Sequence, residues 1–408
     1  MKSQKLFSTI DSYRDDMVRT LMQLLRIPAI APDNGGEGEI KKAEKLMRIL
    51  EPIGFDEIQR YDVKDERVPS KRRPNIVCYL RGEGREERLW IVTHMDVVPP
   101  GEEKLWTVTP PFDPKVKDDK IFARGSEDNG QSLVASLYAV KALIDSEIDL
   151  KRTVALAFVA DEEQGSVFGI QHLIDLGLFR KNDLVVVPDY GNPQGDFIEV
   201  AEKSMLMFKI RTQGKQVHAS TPDKGLNAHR AGMEYALTID KMLHETYSDK
   251  EESFTPPEST FEPTMKEKNV GAVNIIPGED IIFFDCRILP RYSLKKVLKD
   301  IHLSAEEFEE QSGAKINLEM LKKNKAPPPT ELNSKIVIML KEAIQQVRGI
   351  TPRVGGIGGG TCASFFRQKE IPTVVWSTID ETAHQPDEYS RINHLVNDAK
   401  IFVYLTLS

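Results

Sequence analysis

Apolar residues along this chain recur with two different periods. Runs of strand length occur at Leu89-Trp90-Ile91-Val92-Thr93, from Thr153 to Ala160, at Leu184-Val185-Val186-Val187 and from Val374 to Ile379, with a shorter one at Lys120-Ile121-Phe122. From Asn75 to about Val200 such runs alternate with helical patterns, the signature of βαβ units around a mostly parallel sheet flanked by helices. Between Tyr13 and Ile27, Met17, Val18, Leu21, Leu24 and Leu25 fall at helical spacing, which predicts an amphipathic surface helix. The central stretch changes character. Ser204 to Thr212 and Asp280 to Ile288 read as strands, Gly225 to His244 reads as a helix, and Asp249 to Lys268 is charged and proline-bearing. These suit a smaller α+β unit inserted into the first domain. Pro327-Pro328-Pro329 marks the return, after which Ile336 to Val347 is helical. The expected fold is an α/β domain over residues 1–202 and 326–408, interrupted by an α+β domain over 203–325.

Polar chemistry gathers where the apolar runs stop. The first run closes with His94-Met95-Asp96, and residues two apart on a strand share a face, so one imidazole and one carboxylate can reach one cation. The Thr153 run delivers Asp161-Glu162-Glu163, the Leu184 run delivers Asp189, and the Lys120 run leads to Asp128. His384 follows the Val374 run. Acids at the mouth of an apolar layer are costly unless a cation or hydrogen-bond donors compensate them. Taken alone, Asp161-Glu162-Glu163 reads equally well as a solvated acidic turn. Taken together, the strand ends describe a site of the kind that open α/β sheets carry at their carboxyl edge.

Composition narrows the class. At 408 residues the chain suggests about two domains. The net charge of −8 and the scattered basic residues disfavour a nucleic-acid surface. Cys78, Cys286 and Cys362 are odd in number and far apart, which argues against a disulfide framework or a zinc ribbon and fits a reducing cytoplasm. The N-terminus lacks the roughly 7–15-residue apolar core of a signal peptide, and no run approaches the roughly 20 apolar residues of a membrane span. A membrane-bound reading of the Tyr13–Ile27 helix is weak because Asp15, Asp16 and Arg19 mix charges on its polar face.

In order, His94, Asp96, Asp128, Glu162, Glu163, Asp189 and His384 resemble the H-x-D, bridging Asp, E-E pair, further acid and late His of the M20 metallopeptidase family, which includes aminoacylase, desuccinylases, deacetylases and dipeptidases. Further marks are Val97-Val98-Pro99, Trp106 with Pro111-Phe112, the stretch from His218 to Ala228, Asn274-Ile275-Ile276-Pro277, Asp285-Cys286-Arg287 and Gly358-Gly359-Gly360-Thr361. Two departures stand out. Asn129-Gly130 replaces the Lys-Gly that many members carry after the bridging Asp. Position 189 is Asp where deacylases and desuccinylases usually carry Glu, and the Asp form accompanies aminopeptidases and dipeptidases.

The resemblance implies hydrolysis of an amide bond in a small N-acyl amino acid or dipeptide, in a homodimer whose inserted domain serves as lid and dimerisation surface. It implies two divalent cations bridged by Asp128, one also held by His94 and Asp189, the other by Glu163 and His384. Such pairs lie roughly 3.5–4 Å apart, and mixed imidazole and carboxylate ligands suit Zn²⁺, with Co²⁺ or Mn²⁺ as substitutes. Glu162 is expected to be the catalytic base, since neighbours on a strand point in opposite directions and Glu163 is taken as a ligand. Asp96 is expected to accept a hydrogen bond from His94 and fix its tautomer. His218 is expected at the substrate carbonyl, from the opposite subunit, and Asn274, Arg287, Gly359 and Gly360 at the substrate carboxylate. The Asp128-Asn129 peptide bond is expected to be cis. Two other classes compete. G-x-G-x-x-A across Gly358, Gly360 and Ala363, with Asp380 beyond, admits a nucleotide-binding loop, and a metal-free binding module of the same fold is the other alternative.

Overall fold

The computed structural model describes residues 2–408, which divide into two compact units. The first comprises the chain up to Val200, Pro329–Val354 and Thr361–Ser408, and the second comprises Ala201–Pro328 with Gly355–Gly360. The glycine loop at 358–360 thus belongs with the second unit and not with the 326–408 segment.

In the first unit the strands lie in the order Glu57–Lys64, Arg72–Leu80, Arg152–Val159, Gly84–His94, Leu184–Asn192, Thr373–Thr378, Phe197–Glu202. Pairing is parallel from Arg152–Val159 through Gly84–His94 and Leu184–Asn192 to Thr373–Thr378, and antiparallel at both flanks. The parallel strands are β-branched and buried on both faces, as a sheet covered by helices requires. Trp90, Val92, Ala155, Val185 and Val375 build the core on one side with Phe366 and Cys362. Helix Ser132–Asp145 is nearly all buried and packs against Ile392–Leu407. The helix expected between Tyr13 and Ile27 forms as Arg14–Leu25 and buries Met17, Leu21, Leu24 and Leu25. The sheet begins earlier than Asn75: Glu57–Lys64 alternates between intermediate and exposed positions, as a solvent-facing edge strand does.

The second unit is a four-stranded antiparallel sheet in the order Thr260–Lys266, Glu279–Ile288, Ser204–Gln213, Lys315–Asn324. Helices Ala228–Thr246 and Leu294–Ser312 pack on it. Asn227 caps the first of these by accepting from the backbone N–H groups of His229 and Arg230. Leu206, Phe208, Tyr235, Phe261, Phe284 and Ile301 form a continuous apolar core, with the Phe208 and Phe284 rings stacked 5.3 Å apart. The charged 249–268 stretch contains a strand, because an edge needs only one buried face and Phe261 supplies it. Among the described residues no helix is long and apolar enough to cross a membrane.

Candidate active site

Six of the acid and imidazole side chains selected from sequence come together in the first unit. His94 ends its strand and is 3 % exposed. Asp189 sits inside the strand Leu184–Asn192 and not beyond its end. Asp128 does not follow a strand of the main sheet, because Lys120–Phe122 belongs to a separate three-stranded sheet. Asp128 is instead carried by a tight turn, Ser126–Gln131, and its peptide bond to Asn129 is cis. Gly130 is required in that turn, since a Cβ there would lie 2.5 Å from the Gly125 carbonyl oxygen.

The ligand atoms form two groups, His94 with Glu162 and Asp189, and Asp128 with Glu163 and His384, each within 4.8 Å. Asp128 links them. His94 Nε2 is 2.9 Å from Asp128 Oδ1 and 3.2 Å from Asp189 Oδ1, while His384 Nε2 is 3.0 Å from Asp128 Oδ2 and 3.2 Å from Glu163 Oε2. Burial alone would push His94 down, but the facing charge of Asp189 and hydrogen bonds to Asp128 and Asp189 hold it well above the usual imidazole range. Hydrogen bonds to Asp128 and Glu163 raise His384 to about 10. Burial raises Glu163 to about 7, and burial with the charge of Asp189 pushes Glu162 well above the usual carboxylate range. Titratable groups gathered this closely mark a functional site.

One expectation about this cluster needs correction and another needs an addition. Glu162 and Glu163 lie in a 3₁₀ turn, Glu162–Gln164, entered through Asp161 at φ +66°, so strand alternation cannot separate their side chains. They reach different groups because the turn rotates them apart. Glu162 Oε1 also accepts the Cys362 backbone N–H at 3.1 Å. The Asp96 carboxylate lies 3.5 Å from His94 Nδ1, where it adds to the raised pKa of that imidazole, but this is not its main contact. The His94 Nδ1 hydrogen bond runs to the Asp96 backbone carbonyl at 3.0 Å, and the carboxylate accepts the N–H groups of Glu162 and Glu163 at 3.1 and 3.0 Å. Asp96 therefore fixes the turn that presents both glutamates, as an anionic cap at the start of a helical turn.

In the second unit, His218 is exposed on a two-residue strand paired with Ile275–Ile276, and the Asn274 carbonyl accepts the Ala219 N–H, so His218 and Asn274 share one corner. The Arg287 guanidinium donates to Asp285 at 2.6 and 3.0 Å and to the Gly358 carbonyl at 3.2 Å, which brings it to the Gly358–Gly360 loop. Gly359 and Gly360 are exposed. Asp380, the acid that a nucleotide reading would assign to a ribose, instead accepts from Tyr389 Oη and Arg391 Nε.

The model of peptidase family M20/M25/M40 matches residues 90–408. The chain belongs to this family. It is an M20-type metallohydrolase, and it is 38% identical to an uncharacterised metallohydrolase of Methanocaldococcus jannaschii over 95% of this chain and 98% of that one. A succinyl-diaminopimelate desuccinylase of a Nitratiruptor species is 27% identical over 91% of this chain and 94% of its own length. Among solved structures, human carnosine dipeptidase 1 superposes with a TM-score of 0.75 at 18% identity, covering 100% of this chain and 98% of that one.

The residues of this M20 chain fit a pair of divalent cations. His94 and Asp189 would hold one, His384 and Glu163 the other, and Asp128 turns one oxygen to each histidine. Sequence reasoning missed the residues that hold these ligands. Asn129 Nδ2 donates to Asp189 Oδ1 at 2.7 Å, and the buried acids Glu127 and Glu388 hold the loops carrying His384 and Asp128. The available signal was an acid directly beside Asp128 and another four residues after His384.

Proposed function

We propose that the chain hydrolyses the amide bond of a dipeptide or small N-acyl amino acid, with a water deprotonated by Glu162. The observation that carries this reading is the division of Asp128 between His94 and His384, which makes one continuous site of two ligand groups. Two cations held there, Zn²⁺ by ligand type with Co²⁺ or Mn²⁺ as substitutes, would supply charge for the developing oxyanion and lower the pKa of the attacking water. Glu162 is half-buried beside His94 and Asp189, and desolvation with the charge of Asp189 raises its pKa, the properties of a group that takes a proton and returns it to the leaving amine.

The His218 Nδ1 accepts the Ser220 backbone N–H at 3.2 Å, so in its neutral form the proton sits on Nε2, a donor suited to a substrate carbonyl. We assign His218 that role from the partner subunit of a homodimer, with the 203–325 region as lid and dimerisation surface. Asn274, Arg287, Gly359 and Gly360 are assigned to the substrate carboxylate, and the reaction to the cytoplasm. Asp189 favours a dipeptide over an N-succinyl substrate.

A released-amine screen over dipeptides and N-acyl amino acids with Zn²⁺, Co²⁺ and Mn²⁺ tests the reading, together with Glu162→Gln. That variant is expected to lose about 10²–10⁴-fold in kcat with its metal content intact. Loss of metal in Glu162→Gln, or no released amine from any substrate, overturns the assignment.

A further inference from the structure

Glu127 and Glu388 sit beside the ligands Asp128 and His384, yet neither carboxylate faces the ligand cluster. Each crosses to the other's loop. Glu388 is fully buried, and its carboxylate accepts four donors: Arg124 Nη1 at 2.6 Å, Gly125 N at 3.0 Å, Glu127 N at 3.0 Å and Asp128 N at 3.1 Å. All four belong to the turn that carries Asp128 or to the two residues that lead into it. Glu127 is 4 % exposed and also accepts four: Asp380 N at 2.7 Å, Thr382 N, Thr382 Oγ1 at 3.0 Å and Ala383 N at 3.0 Å. Those belong to the loop that carries His384.

His384 needs such an anchor. Its side chain is 55% exposed and its backbone lies at φ +65°, so packing alone does not set its direction. Asp387, nearer to it in sequence, is turned elsewhere and accepts from Thr107 and Val108. A buried carboxylate with four donors is rigid, because each donor left unpaired would carry a desolvation cost.

We propose that Glu127 and Glu388 are positioning residues that exchange anchors, so that the Asp128 turn and the His384 loop are set as one unit and the cation group Asp128, Glu163 and His384 is held ready by them. This rests on the two-cation reading above. Neither residue touches a substrate or a cation. Glutamine at either position would turn an amide NH₂ against backbone N–H groups that now donate to an oxygen, while keeping size and burial.

The test is a Co²⁺ titration of the full chain against a competing chelator, followed by the visible absorption of bound Co²⁺. Wild type is expected to take up two equivalents. Glu127→Gln and Glu388→Gln are each expected to weaken one equivalent by about 10–100-fold and to change its absorption bands, the usual consequence of losing a group that orients a ligand. The double variant is expected to lose no more than the weaker single variant, because either loss already frees both loops. Two equivalents bound by both single variants with wild-type affinity and spectrum overturn the proposal, and strictly additive losses overturn the exchange. Fewer than two equivalents in wild type would instead sink the two-cation reading. If the glutamine variants do not fold, Thr382→Val decides. It removes the hydroxyl that Glu127 shares with the Tyr389 backbone while leaving the three backbone N–H donors to Glu127, and a several-fold weaker equivalent supports the proposal while unchanged affinity overturns it.

Discussion

The two units keep their polar chemistry in opposite places. In the first, charge lies beneath the site: Arg73 is 0 % exposed and bonds Glu39, Asp65 and Asp161, while Lys42 donates to the Met95 carbonyl at 2.9 Å. Asp161 and Met95 adjoin the proposed base and first histidine in sequence, so this buried lattice supports the backbone from which Glu162 and His94 project. In the second unit the main core is an apolar cluster, its buried charges are few, with Asp280 paired to Lys266 at 2.9 Å, and His218, Asn274, Gly359 and Gly360 lie exposed at its surface. Scaffold and chemistry thus share residues in the first unit and are separable in the second. A core substitution should damage stability and metal binding together in one unit, and stability alone in the other.

Arg73→Met breaks this comparison most severely. It leaves Glu39, Asp65 and Asp161 without their common cation, and removing one partner of a buried ionic cluster costs about 3–5 kcal/mol. Denaturant unfolding should show that loss and metal analysis a reduced occupancy. A loss below about 1 kcal/mol with full occupancy would mean that the lattice is not what holds the site.

Asp96→Asn is expected to be milder. An amide NH₂ would then meet one of the two N–H groups of the Glu162–Gln164 turn, and kcat/KM should fall by about 10–100-fold with the fold intact. Unchanged kinetics would show that the turn keeps its shape without an anionic cap. Ile288→Val, in the second unit's core, supplies the contrast. It should cost about 0.5–1.5 kcal/mol by deleting one buried methylene while metal content and kcat stay at wild type. A loss of metal in this variant would erase the distinction between the units.

What the sequence showed of all this follows the range of the forces involved. The strand runs ending in His94 and Asp189, and the helix over Gly225 to His244, are local patterns of period 2 or 3.6 and were readable as such. The alternation of Glu57–Lys64 was equally local and was passed over. Asp128 and His384 were visible because residue type and order matched a family, although the turn carrying Asp128 was not. The Asp96 carboxylate was readable as a neighbour of His94, from which it lies 3.5 Å, but not as the acceptor of the Glu162 and Glu163 amides, which lie 66 and 67 residues away on a turn whose geometry no spacing rule supplies. Glu127 and Glu388 were missed for the same reason, with partners separated by more than 250 residues. Backbone amides carry no side-chain identity, so an acid that binds them looks in sequence like any surface acid.

The pH dependence of stability tests whether the first unit's dependence on buried polar groups extends beyond the site. His394 lies on the helix Ile392–Leu407, and burial pushes its imidazole down to about 4, with the charges of Arg348 and Arg391 adding to burial and that of Asp380 opposing it. Once unfolded, the same side chain returns to an ordinary value near 6.5. Between about pH 6.5 and 4 the unfolded chain therefore binds a proton that the folded chain refuses, and stability must fall as pH falls through that window. The contribution is fully present above 6.5 and gone below about 4. His394→Gln removes the titrating group, so the difference in melting temperature between wild type and variant should shift in favour of the variant as the pH is lowered from 7 to 4. Ile288→Val carries no charge, and its cost should stay the same across that range. A wild-type and His394→Gln difference that is equally flat would show that His394 is solvated in both states, and that the buried polar character of the first unit stops at the walls of its active site.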